Sequence, residues 1–290
     1  MKELVVISGK GGTGKTTLTA AFASISENRV LCDADVDAAD LHLLMTPDIK
    51  QKTDFQGGGL AVIDPDRCTQ CGTCIELCRF DAIKDDFEVD DIACEGCGVC
   101  VDFCPEQAID FPVKTCGEWY LSETRFGPMV HARLGIAEEN SGKLVSLVRQ
   151  EAKKISEKEK LDLIITDGPP GIGCPVIASI GGATALVIVT EPTVSGIHDM
   201  ERVADLAAHF KVPAMVCINK FDLNLEQTEA IETLAKERDM IILGRVPFDP
   251  VFTESMIQGQ TIFEYSKNSE VCEAVRKIWE EIVDASWMKD

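Results

Sequence analysis

The chain has 290 residues and a formal net charge of -21, and 45% of its residues are hydrophobic. This composition is typical of a folded protein, and its electronegative surface opposes non-specific binding to nucleic acid or anionic lipid. Because no apolar run is long enough to cross a bilayer and no signal peptide is recognisable, we expect a cytoplasmic protein with no nucleic-acid or membrane partner.

The first segment of the chain predicts a strand, a glycine-rich loop and a helix. Residues 4–8 are apolar, residues 9–16 read GKGGTGKT, and residues 16–25 are rich in helix formers. The loop matches the G-x-x-x-x-G-K-[ST] pattern of phosphate-binding loops, in which Lys15 neutralises the β- and γ-phosphates and Thr16 binds magnesium. We predict nucleotide contacts for Gly11, Gly12, Thr13, Gly14, Lys15, Thr16 and Thr17.

Further apolar runs follow at residues 29–35, 161–170, 185–192, 214–220 and 241–248. Their continuous rather than alternating hydrophobicity indicates strands that are covered on both faces. The sequence therefore predicts an α/β fold with a mostly parallel sheet, helices on both faces, and functional residues at the carboxyl ends of the strands. A last helix is expected to pack on this sheet through an apolar face made of Val271, Val275, Ile278 and Ile282.

A second lysine, Lys10, extends the loop pattern, so that residues 10–16 read KGGTGKT. In this motif the chain resembles the MinD/ParA/nitrogenase iron protein class of P-loop ATPases. The resemblance implies a nucleotide-dependent homodimer and an ATPase that is slow without its partner. It also implies that Lys10 reaches the phosphates of the partner subunit, where it stabilises transition-state charge as an arginine finger does. The alternative is that Lys10 is a solvated loop lysine.

Carboxylates follow two of the predicted strands. In the stretch CDADVDAAD, the same resemblance assigns to Asp33 and Asp37 the positions that orient the attacking water or contact magnesium through water, and Asp35 lies between them. Asp167 ends a later apolar strand, which is the place of a Walker-B carboxylate near magnesium. Residues 168–171, GPPG, resemble the switch II segment that moves when the γ-phosphate is lost.

Two later stretches resemble loops that contact the nucleotide base. INKFD at residues 218–222 resembles the N-K-x-D motif in which GTPases use the aspartate to select guanine. VPFDP at residues 246–250 matches a second base-contacting loop of the MinD class. The resemblance implies adenine contacts by Asn219, Pro247 and Phe248. We therefore favour ATP as the nucleotide and keep GTP as the alternative.

Residues 60–111, here named the cysteine module, interrupt the alternation of strands and helices. The module holds thirteen acidic residues against three basic ones and contains an internal repeat with an offset of 26 positions. Each repeat has the spacing C-x2-C-x2-C-x3-C, which resembles a bacterial two-cluster ferredoxin. The proline that usually follows the fourth cysteine is present as Pro105 in the second repeat but is replaced by Arg79 in the first.

In such ferredoxins the fourth cysteine of each run ligates the cluster of the other run. One 4Fe-4S cluster would be bound by Cys68, Cys71, Cys74 and Cys104, and the other by Cys94, Cys97, Cys100 and Cys78. Zinc also binds thiolates and is the alternative metal, but eight cysteines in three-plus-one groups favour iron and sulfide. Cys32, Cys217 and Cys272 are expected to be buried apolar residues. Cys174 is expected to be a small apolar packing residue, and the alternative is that a metal centre responds there to a nucleotide-driven shift.

These patterns predict an ATPase domain of residues 1–59 and 112–290, interrupted by a small ferredoxin-like α+β domain of residues 60–111. The expected cofactors are ATP, magnesium and two 4Fe-4S clusters. A nucleotide switch joined to clusters favours a protein that couples ATP to electron transfer, or to iron-sulfur or metal cofactor assembly, on a partner redox or metallo-enzyme. The alternative is a MinD/ParA-like positioning or assembly ATPase whose clusters act as a redox sensor. No chemistry is assigned to residues 117–148.

Overall fold

The computed structural model of the protein describes residues 1–135 and 141–289. Within these residues the strands are β1 (Lys2–Ser8), β2 (Arg29–Asp33), β3 (Asp48–Gly59), β4 (Val62–Ile63), β5 (Ile109–Asp110), β6 (Val113–Thr124), β7 (Gly127–Leu134), β8 (Leu163–Pro170), β9 (Ala185–Thr190), β10 (Ala214–Asn219) and β11 (Ile241–Val246).

Nine of these strands form one sheet in the order β11-β10-β9-β1-β8-β2-β7-β6-β3. The strands from β11 to β7 pair in parallel, and β6 and β3 complete the sheet in antiparallel pairing. The predicted mostly parallel α/β fold is therefore confirmed. All six predicted apolar runs form strands of the parallel part, where helices cover both sides.

The helices of the described residues are α1 (Lys15–Ile25), α2 (Leu41–Met45), α3 (Thr73–Leu77), α4 (Val99–Asp102), α5 (Ser141–Glu159), α6 (Cys174–Ile180), α7 (Val194–His209), α8 (Leu225–Glu237), α9 (Val251–Ile257), α10 (Ile262–Tyr265), α11 (Glu270–Asp284) and α12 (Ser286–Lys289). None of them combines the length and the apolar character that crossing a membrane requires.

Helices cover both faces of the parallel strands. On one face α1 and α11 pack together through Phe22 and Trp279, whose ring centroids lie 5.6 Å apart. On the other face α7 and α8 pack through Val203 and Ile231, and α5 packs through Val148. The predicted last helix is confirmed as α11, because its apolar face is buried in the first of these layers.

The antiparallel end of the sheet, β3, β6 and β7, is not predicted by the hydrophobic pattern. β6 reads VKTCGEWYLSET, and most of β3 is exposed. An antiparallel strand near a sheet edge keeps one face in water and therefore lacks a continuous apolar run. Most of the segment 117–148 forms β6, β7 and the start of α5, and residues 136–140 lie outside the described part of the chain.

β3 and β6 form a two-stranded stalk that carries the cysteine module. β3 pairs with β6 as far as Gly59. The pairing of β6 with β7 stops at Gly117 and Leu134, so the stalk (residues 55–59 and 113–117) continues past the end of β7. Because β7 is parallel to β2, this end of the stalk lies at the carboxyl edge of the sheet. The loop after β1 lies at the same edge.

The cysteine module folds as two similar halves around an apolar cluster of its own. The strands β4 and β5 pair near its two ends. α3 follows Gly72 and α4 follows Gly98, and these glycines have φ angles of 81° and 75°. They are also 26 positions apart, so the sequence repeat is a structural repeat. Ile83 and Ile109 belong to the apolar cluster between the halves.

Candidate nucleotide site and cysteine cavities

The glycine-rich loop lies between β1 and α1 and is fixed by Asn219. The Asn219 amide (Nδ2) donates a hydrogen bond to the Thr13 carbonyl oxygen at 2.7 Å. Gly14 has a φ angle of 89°, and a Cβ there would lie 2.3 Å from Nδ2 of Asn219, so glycine is required. The buried hydroxyl of Thr13 has no hydrogen-bond partner among the described residues, which indicates a polar atom that faces a ligand site.

Lys15, Thr16 and Asp167 form a buried polar cluster at the start of α1. The Lys15 ammonium lies 3.0 Å from Oδ1 of Asp167 and 3.3 Å from Oδ2 of Asp35. Burial lowers the pKa of Lys15, but these carboxylates outweigh it and the pKa is raised, so the lysine is charged. The Thr16 hydroxyl donates to Oδ2 of Asp167 at 2.7 Å. This hydroxyl and carboxylate are oxygen ligands of the type that Mg²⁺ prefers.

Asp33 lies beside Asp167 and holds the loop that follows β2. The two residues are opposite each other in the pairing of β2 with β8, and both are fully buried. The Asp33 carboxylate accepts hydrogen bonds from the backbone N–H groups of Asp35 and Leu41, each at 3.2 Å. Burial and the neighbouring Asp167 raise the pKa of Asp33 well above its ordinary value. Asp33 is therefore a buried anchor of this loop.

Asp37 lies outside this buried cluster. Its side chain is exposed and lines an open cleft of about 810 Å³ together with Asp40, His42 and Tyr120. Of the two carboxylates that the sequence groups together, the structure places Asp33 beside Asp167 and Asp37 at the cleft.

Lys10 is held by an ion pair within its own chain. Its ammonium lies 2.7 Å from Oε1 of Glu191 and donates to the Ser195 hydroxyl at 3.0 Å. The other oxygen of Glu191 lies 3.0 Å from the Lys220 ammonium, which donates to the Gly12 carbonyl oxygen at 2.9 Å. Burial raises the pKa of Glu191, but the hydrogen bonds from the two lysines outweigh it and lower the pKa. Glu191 is therefore ionised, and it joins Lys10 of the glycine-rich loop to Lys220.

A cavity of about 220 Å³ adjoins the glycine-rich loop, and its walls include Gly12, Asn219, Pro247 and Phe248. The structure thus brings the three residues of the two predicted base-contacting loops to one place. Oδ1 of Asp222 accepts a hydrogen bond from the backbone N–H of Phe248 at 2.7 Å. In the N-K-x-D motif of GTPases this carboxylate selects guanine, whereas here it is engaged by the protein itself.

Two cavities in the cysteine module are each lined by four cysteines. The first cavity is lined by Cys68, Cys71, Cys74 and Cys104, and the second cavity by Cys78, Cys94, Cys97 and Cys100. Each cavity therefore combines three cysteines of one repeat with the fourth cysteine of the other. Burial, together with the neighbouring Cys94 and Cys97, raises the pKa of the Cys100 thiol to about 11, so metal binding here requires loss of thiol protons.

No group of three or more His, Cys, Asp or Glu side chains in residues 1–135 and 141–289 is placed to hold a metal ion. A tetrahedral zinc site needs its sulfur atoms about 4 Å apart, because each lies about 2.3 Å from the metal. In a 4Fe-4S cluster each cysteine binds a different iron, so the sulfur atoms lie farther apart. The placement of the described thiols shows neither kind of site directly.

The cysteines outside the two cavities differ in exposure. Cys32, Cys217 and Cys272 are buried, as predicted, and burial raises the pKa of Cys217 to about 12. Cys174, expected to be a small apolar packing residue, lies at the surface. Cys174 is exposed because it is the first residue of α6, directly after the loop at the carboxyl edge of the sheet. Cys116 is buried at the base of the stalk.

Comparison with known proteins identifies the family of the α/β part. The CobQ/CobB/MinD/ParA nucleotide binding domain family matches residues 4–262. The chain belongs to this family. It is therefore a MinD/ParA-type P-loop ATPase by family, which confirms this part of the resemblance seen in the KGGTGKT motif.

Relatives of this CobQ/CobB/MinD/ParA family member cover between 60% and 98% of the chain. The uncharacterized protein MJ0578 of Methanocaldococcus jannaschii is 32% identical over 285 residues, which cover 97% of this chain and 96% of its own. The septum site-determining protein MinD of Pyrococcus horikoshii, complexed with Mg-ADP, has a similar fold, with a TM-score of 0.60, 19% identity and coverage of 98% and 96%. A homolog of the cytosolic Fe-S cluster assembly factor NUBP2 from Nematostella vectensis is 23% identical over 190 residues, 60% of this chain and 70% of its own.

Two residues that organise the site of this family member lie outside the recognised motifs. Glu191 holds Lys10, and Arg149 joins α5 to its neighbours through Glu3. Glu191 directly follows β9, and the carboxyl end of a parallel strand is a place where a functional residue is expected. That position is a signal that could have identified Glu191. Arg149 has no comparable signal, because its partners are distant in sequence.

Proposed function

We propose that this protein is an ATP-binding and ATP-hydrolysing iron-sulfur protein. Its nucleotide site would control the cysteine module during electron transfer to a partner enzyme, or during assembly of an iron-sulfur or metal cofactor on that enzyme. The observation that carries the proposal is the three-plus-one arrangement of cysteines around two cavities. The stalk holds these cavities at the edge of the sheet where the glycine-rich loop also lies.

ATP binding is supported by the polar groups around the glycine-rich loop. Backbone N–H groups at the start of α1, together with Lys15, would bind the β- and γ-phosphates, and the Thr13 hydroxyl would gain a partner. Magnesium would be held by the Thr16 hydroxyl with Asp167 beside it. Asp222 is engaged by Phe248, so it is not free to select guanine, and we favour ATP over GTP.

Hydrolysis is proposed to require a nucleotide-dependent homodimer. In that dimer Lys10 would leave Glu191 and reach the phosphates of the partner subunit, where its charge stabilises the transition state. Asp37 would orient the attacking water, and Asp33 would hold the loop that carries it through the backbone of Leu41. Because Lys10 is occupied within the monomer, slow hydrolysis without a partner follows.

The two cysteine cavities fit 4Fe-4S clusters in their ligand type and surroundings. Each offers four thiols within mostly apolar walls. Backbone N–H groups of Gln70 and Ala108 donate to the sulfur atoms of Cys68 and Cys104 at 3.4 and 3.3 Å, which stabilises the thiolate form of those ligands. Clusters bound there would supply one-electron chemistry, while the cysteines hold them and the apolar walls exclude water.

The first step of the proposed coupling is a contact between α5 and the start of α6, which follows the switch II segment. β8 ends at Pro170, and α6 begins at Cys174 after the intervening loop. Gly142, in the first turn of α5, lies against this start, since a Cβ at Gly142 would be 3.4 Å from Cys174. A shift of the segment that follows Asp167 would therefore displace the first turn of α5.

The second step is the contact of the same turn with the stalk. The Lys143 ammonium donates to the Gly57 carbonyl oxygen at 3.3 Å. Leu144 packs together with Phe55 and Cys116 of the stalk in one buried cluster, which also includes other residues of α5. Because the stalk leads directly into the cysteine module, a displacement of α5 would change the position of the module.

Arg149 makes α5 and α6 move as one body. Its guanidinium pairs with the buried Glu3 at 2.7 Å, donates to the Gly181 carbonyl oxygen at 2.9 Å, and also donates to the Ala178 carbonyl oxygen. Removing one partner of a buried ion pair typically costs about 3–5 kcal/mol, so this junction is rigid. We propose that the helix pair pivots at Arg149 when the nucleotide changes.

Both forms of the proposed function have support. The similarity to a homolog of the Fe-S cluster assembly factor NUBP2 supports cofactor assembly. Outside the cysteine module the sequence contains no C-x-x-C pair that could bridge a labile cluster between subunits, and this favours electron transfer through the module.

Iron and sulfide analysis of the anaerobically reconstituted protein tests the cysteine assignment. We expect about eight iron atoms and eight sulfides per chain, and about half of that after Cys97→Ser, since one cluster loses a ligand. Cys174→Ala is the matched control, because Cys174 is exposed and lies outside both cavities, and it should retain all of the iron. A wild-type protein that binds no iron and sulfide would contradict the proposal.

ATP dependence is tested with the same preparation. Transfer of electrons or of cluster iron to an acceptor protein should require ATP. Lys15→Ala should abolish this transfer, because the variant no longer binds the phosphates. If transfer by the Lys15→Ala variant equals transfer by the wild type, the nucleotide site has no part in the function.

A further inference from the structure

The two cysteine cavities differ in the side chains at their rims. The repeat offset of 26 positions relates most residues at the second cavity to equivalents at the first. Phe80 and Val99 line the second cavity, and their equivalents, Glu106 and Thr73, line the first. At these two positions the repeat has apolar residues at the second cavity and polar residues at the first.

The apolar side chains at the second cavity are open to solvent. We name this patch the apolar rim, and its members are exposed by 38% for Leu77, 45% for Phe80, 37% for Val99 and 36% for Phe111. All four side chains line the same cavity, so they form one patch beside its four cysteines. An exposed apolar patch with a polar surround is typical of a protein-docking surface.

Acidic residues outnumber basic ones around the apolar rim, although Arg79, next to Phe80, is basic. Glu76 and Asp81 are adjacent in sequence to Leu77 and Phe80, and Glu95 lines the second cavity itself. The whole module has thirteen acidic residues against three basic ones. Such a surface attracts a basic partner and steers its approach. A second copy of this chain would bring the same net charge of -21 and is therefore disfavoured as the occupant.

The second cavity is also the cavity that contacts the stalk. A Cβ at Gly96 would lie 2.7 Å from the Gly59 carbonyl oxygen, and the Phe111 ring packs against Gly59 and Gly98. The Lys114 ammonium of the stalk donates to the Asp91 carbonyl oxygen at 3.4 Å. A partner on the apolar rim would therefore lie next to the element through which α5 holds the module.

We propose that the apolar rim is the docking surface for a basic, electron-accepting protein that takes electrons from the second cavity. The inference rests on the proposed function, because it assumes that the cavities bind clusters. In each exchange the reduced module loses one electron and the oxidised acceptor gains it, with no bond formed or broken. A low-potential electron donor restores the module. The first cavity, whose equivalent positions are polar, would receive electrons rather than deliver them.

Ferric cytochrome c, a small basic haem protein, is the probe for the test. Its binding to the cluster-loaded protein is measured by anaerobic titration calorimetry without nucleotide, at two salt concentrations. We expect the double variant Phe80→Glu, Val99→Thr, which gives the rim the kinds of residue found at the first cavity, to bind cytochrome c about tenfold more weakly. Added negative charge alone would strengthen binding of a basic protein, so a loss identifies the apolar contact.

Phe103→Glu is the matched control. Phe103 is 64% exposed, lies in the same module and is the repeat equivalent of Leu77, but it is outside the apolar rim. It introduces the same charge as Phe80→Glu and should leave the affinity within about twofold. Equal affinities for the wild type and the double variant would overturn the proposal. So would a rim variant that changes only the sedimentation of the protein itself, because a second copy would then cover the patch.

Iron and sulfide analysis precedes each titration and separates the two ways of failing. A wild-type protein without clusters contradicts the proposed function before any binding is measured. A fully loaded protein whose rim variant binds cytochrome c like the wild type contradicts only the docking surface.

Discussion

Several motif residues of the nucleotide site contact other parts of the protein. Asn219 fixes the glycine-rich loop through the Thr13 carbonyl oxygen, and Asp222 fixes the backbone of Phe248. Both residues belong to the stretch INKFD that resembles a base-contacting motif. A motif therefore indicates where a side chain lies, while its hydrogen-bond partner depends on contacts between distant segments.

The engagement of Asp222 leads to a prediction about nucleotide selection. Asp222→Ala should lower the affinity for ATP by about fivefold, because the loop that carries Phe248 loses one hydrogen bond of about 1 kcal/mol. The preference for ATP over GTP should not change. Titration calorimetry with both nucleotides measures this, and a selective loss of GTP binding would mean that Asp222 reads the base.

His131 is expected to make the stability of the folded protein sensitive to acid. It is buried between the rings of Tyr120, 4.8 Å away, and His42, 6.2 Å away. Burial, and then the nearby His42, lower the pKa of His131 from 6.5 to about 4. The unfolded chain therefore binds this proton more readily, and the stability that neutral His131 contributes is present above pH 6.5 and is lost as the pH falls towards 4.

The measurement is the free energy of unfolding in urea at pH 6.5 and at pH 4.5. His131→Gln should reduce the loss between these two pH values by about 2 kcal/mol, since a shift of one pKa unit corresponds to about 1.4 kcal/mol. His209→Gln is the control, because His209 is exposed. An unchanged pH dependence in the His131→Gln variant would show that another group is responsible.

The strands at the two ends of the sheet are not equally predictable from the sequence. The parallel strands are predicted because burial on both faces requires continuous apolar runs such as residues 4–8. β3 and β6 are not, because their exposed faces mix polar residues into the pattern. The cysteine spacing is local, and its resemblance to two-cluster ferredoxins implies which cysteines surround each cavity. The ion pair of Lys10 with Glu191 joins residues far apart in the chain, and no local pattern contains it.

At the scale of elements, α5 contacts both the start of α6 and the stalk. Its first turn meets Cys174 through Gly142 and meets the stalk through Lys143. The length of the helix places Arg149 about 10 Å farther along, at the proposed pivot. The antiparallel end of the sheet thus attaches the module, and it lies against the helix whose displacement would move the module.

Lys143→Ala should weaken the coupling between nucleotide and module. The variant loses the hydrogen bond to the Gly57 carbonyl oxygen but keeps the residues that bind ATP. We expect ATP to slow hydrogen exchange of residues 55–59 and 113–117 in the wild type. This protection should fall by about fivefold in the variant, because a hydrogen bond of about 1 kcal/mol is lost.

Lys154→Ala is the matched control for that experiment. Lys154 lies on the same helix, and its ammonium pairs with Glu151 at the exposed surface. It should leave the ATP-dependent protection of the stalk unchanged. Equal protection in the Lys143→Ala variant and the wild type would exclude this route.

At the scale of the whole molecule, the ion pair of Lys10 with Glu191 would favour the monomer over the proposed active dimer. Glu191→Gln removes the charge that holds Lys10 and Lys220. We expect the variant to form the ATP-dependent dimer about fivefold more readily, because a partly buried ion pair of about 1 kcal/mol no longer has to be broken. Sedimentation velocity with and without ATP measures the dimer.

Glu201→Gln provides the comparison for the dimer measurement, since Glu201 pairs with Arg238 on the surface of α7. Its dimerisation should match the wild type. If Glu191→Gln instead prevents dimer formation, Glu191 supports the dimer and does not hold Lys10 back from it.

We propose that the nucleotide site and the cysteine module act on each other. The most direct measurement is the anaerobic steady-state ATPase rate of the iron-reconstituted protein, first oxidised and then reduced with dithionite, with Lys10→Ala and Lys15→Ala as controls. We expect a rate that changes with the redox state and that either substitution abolishes. The same rate in both redox states would contradict it, because the module would then have no influence on hydrolysis.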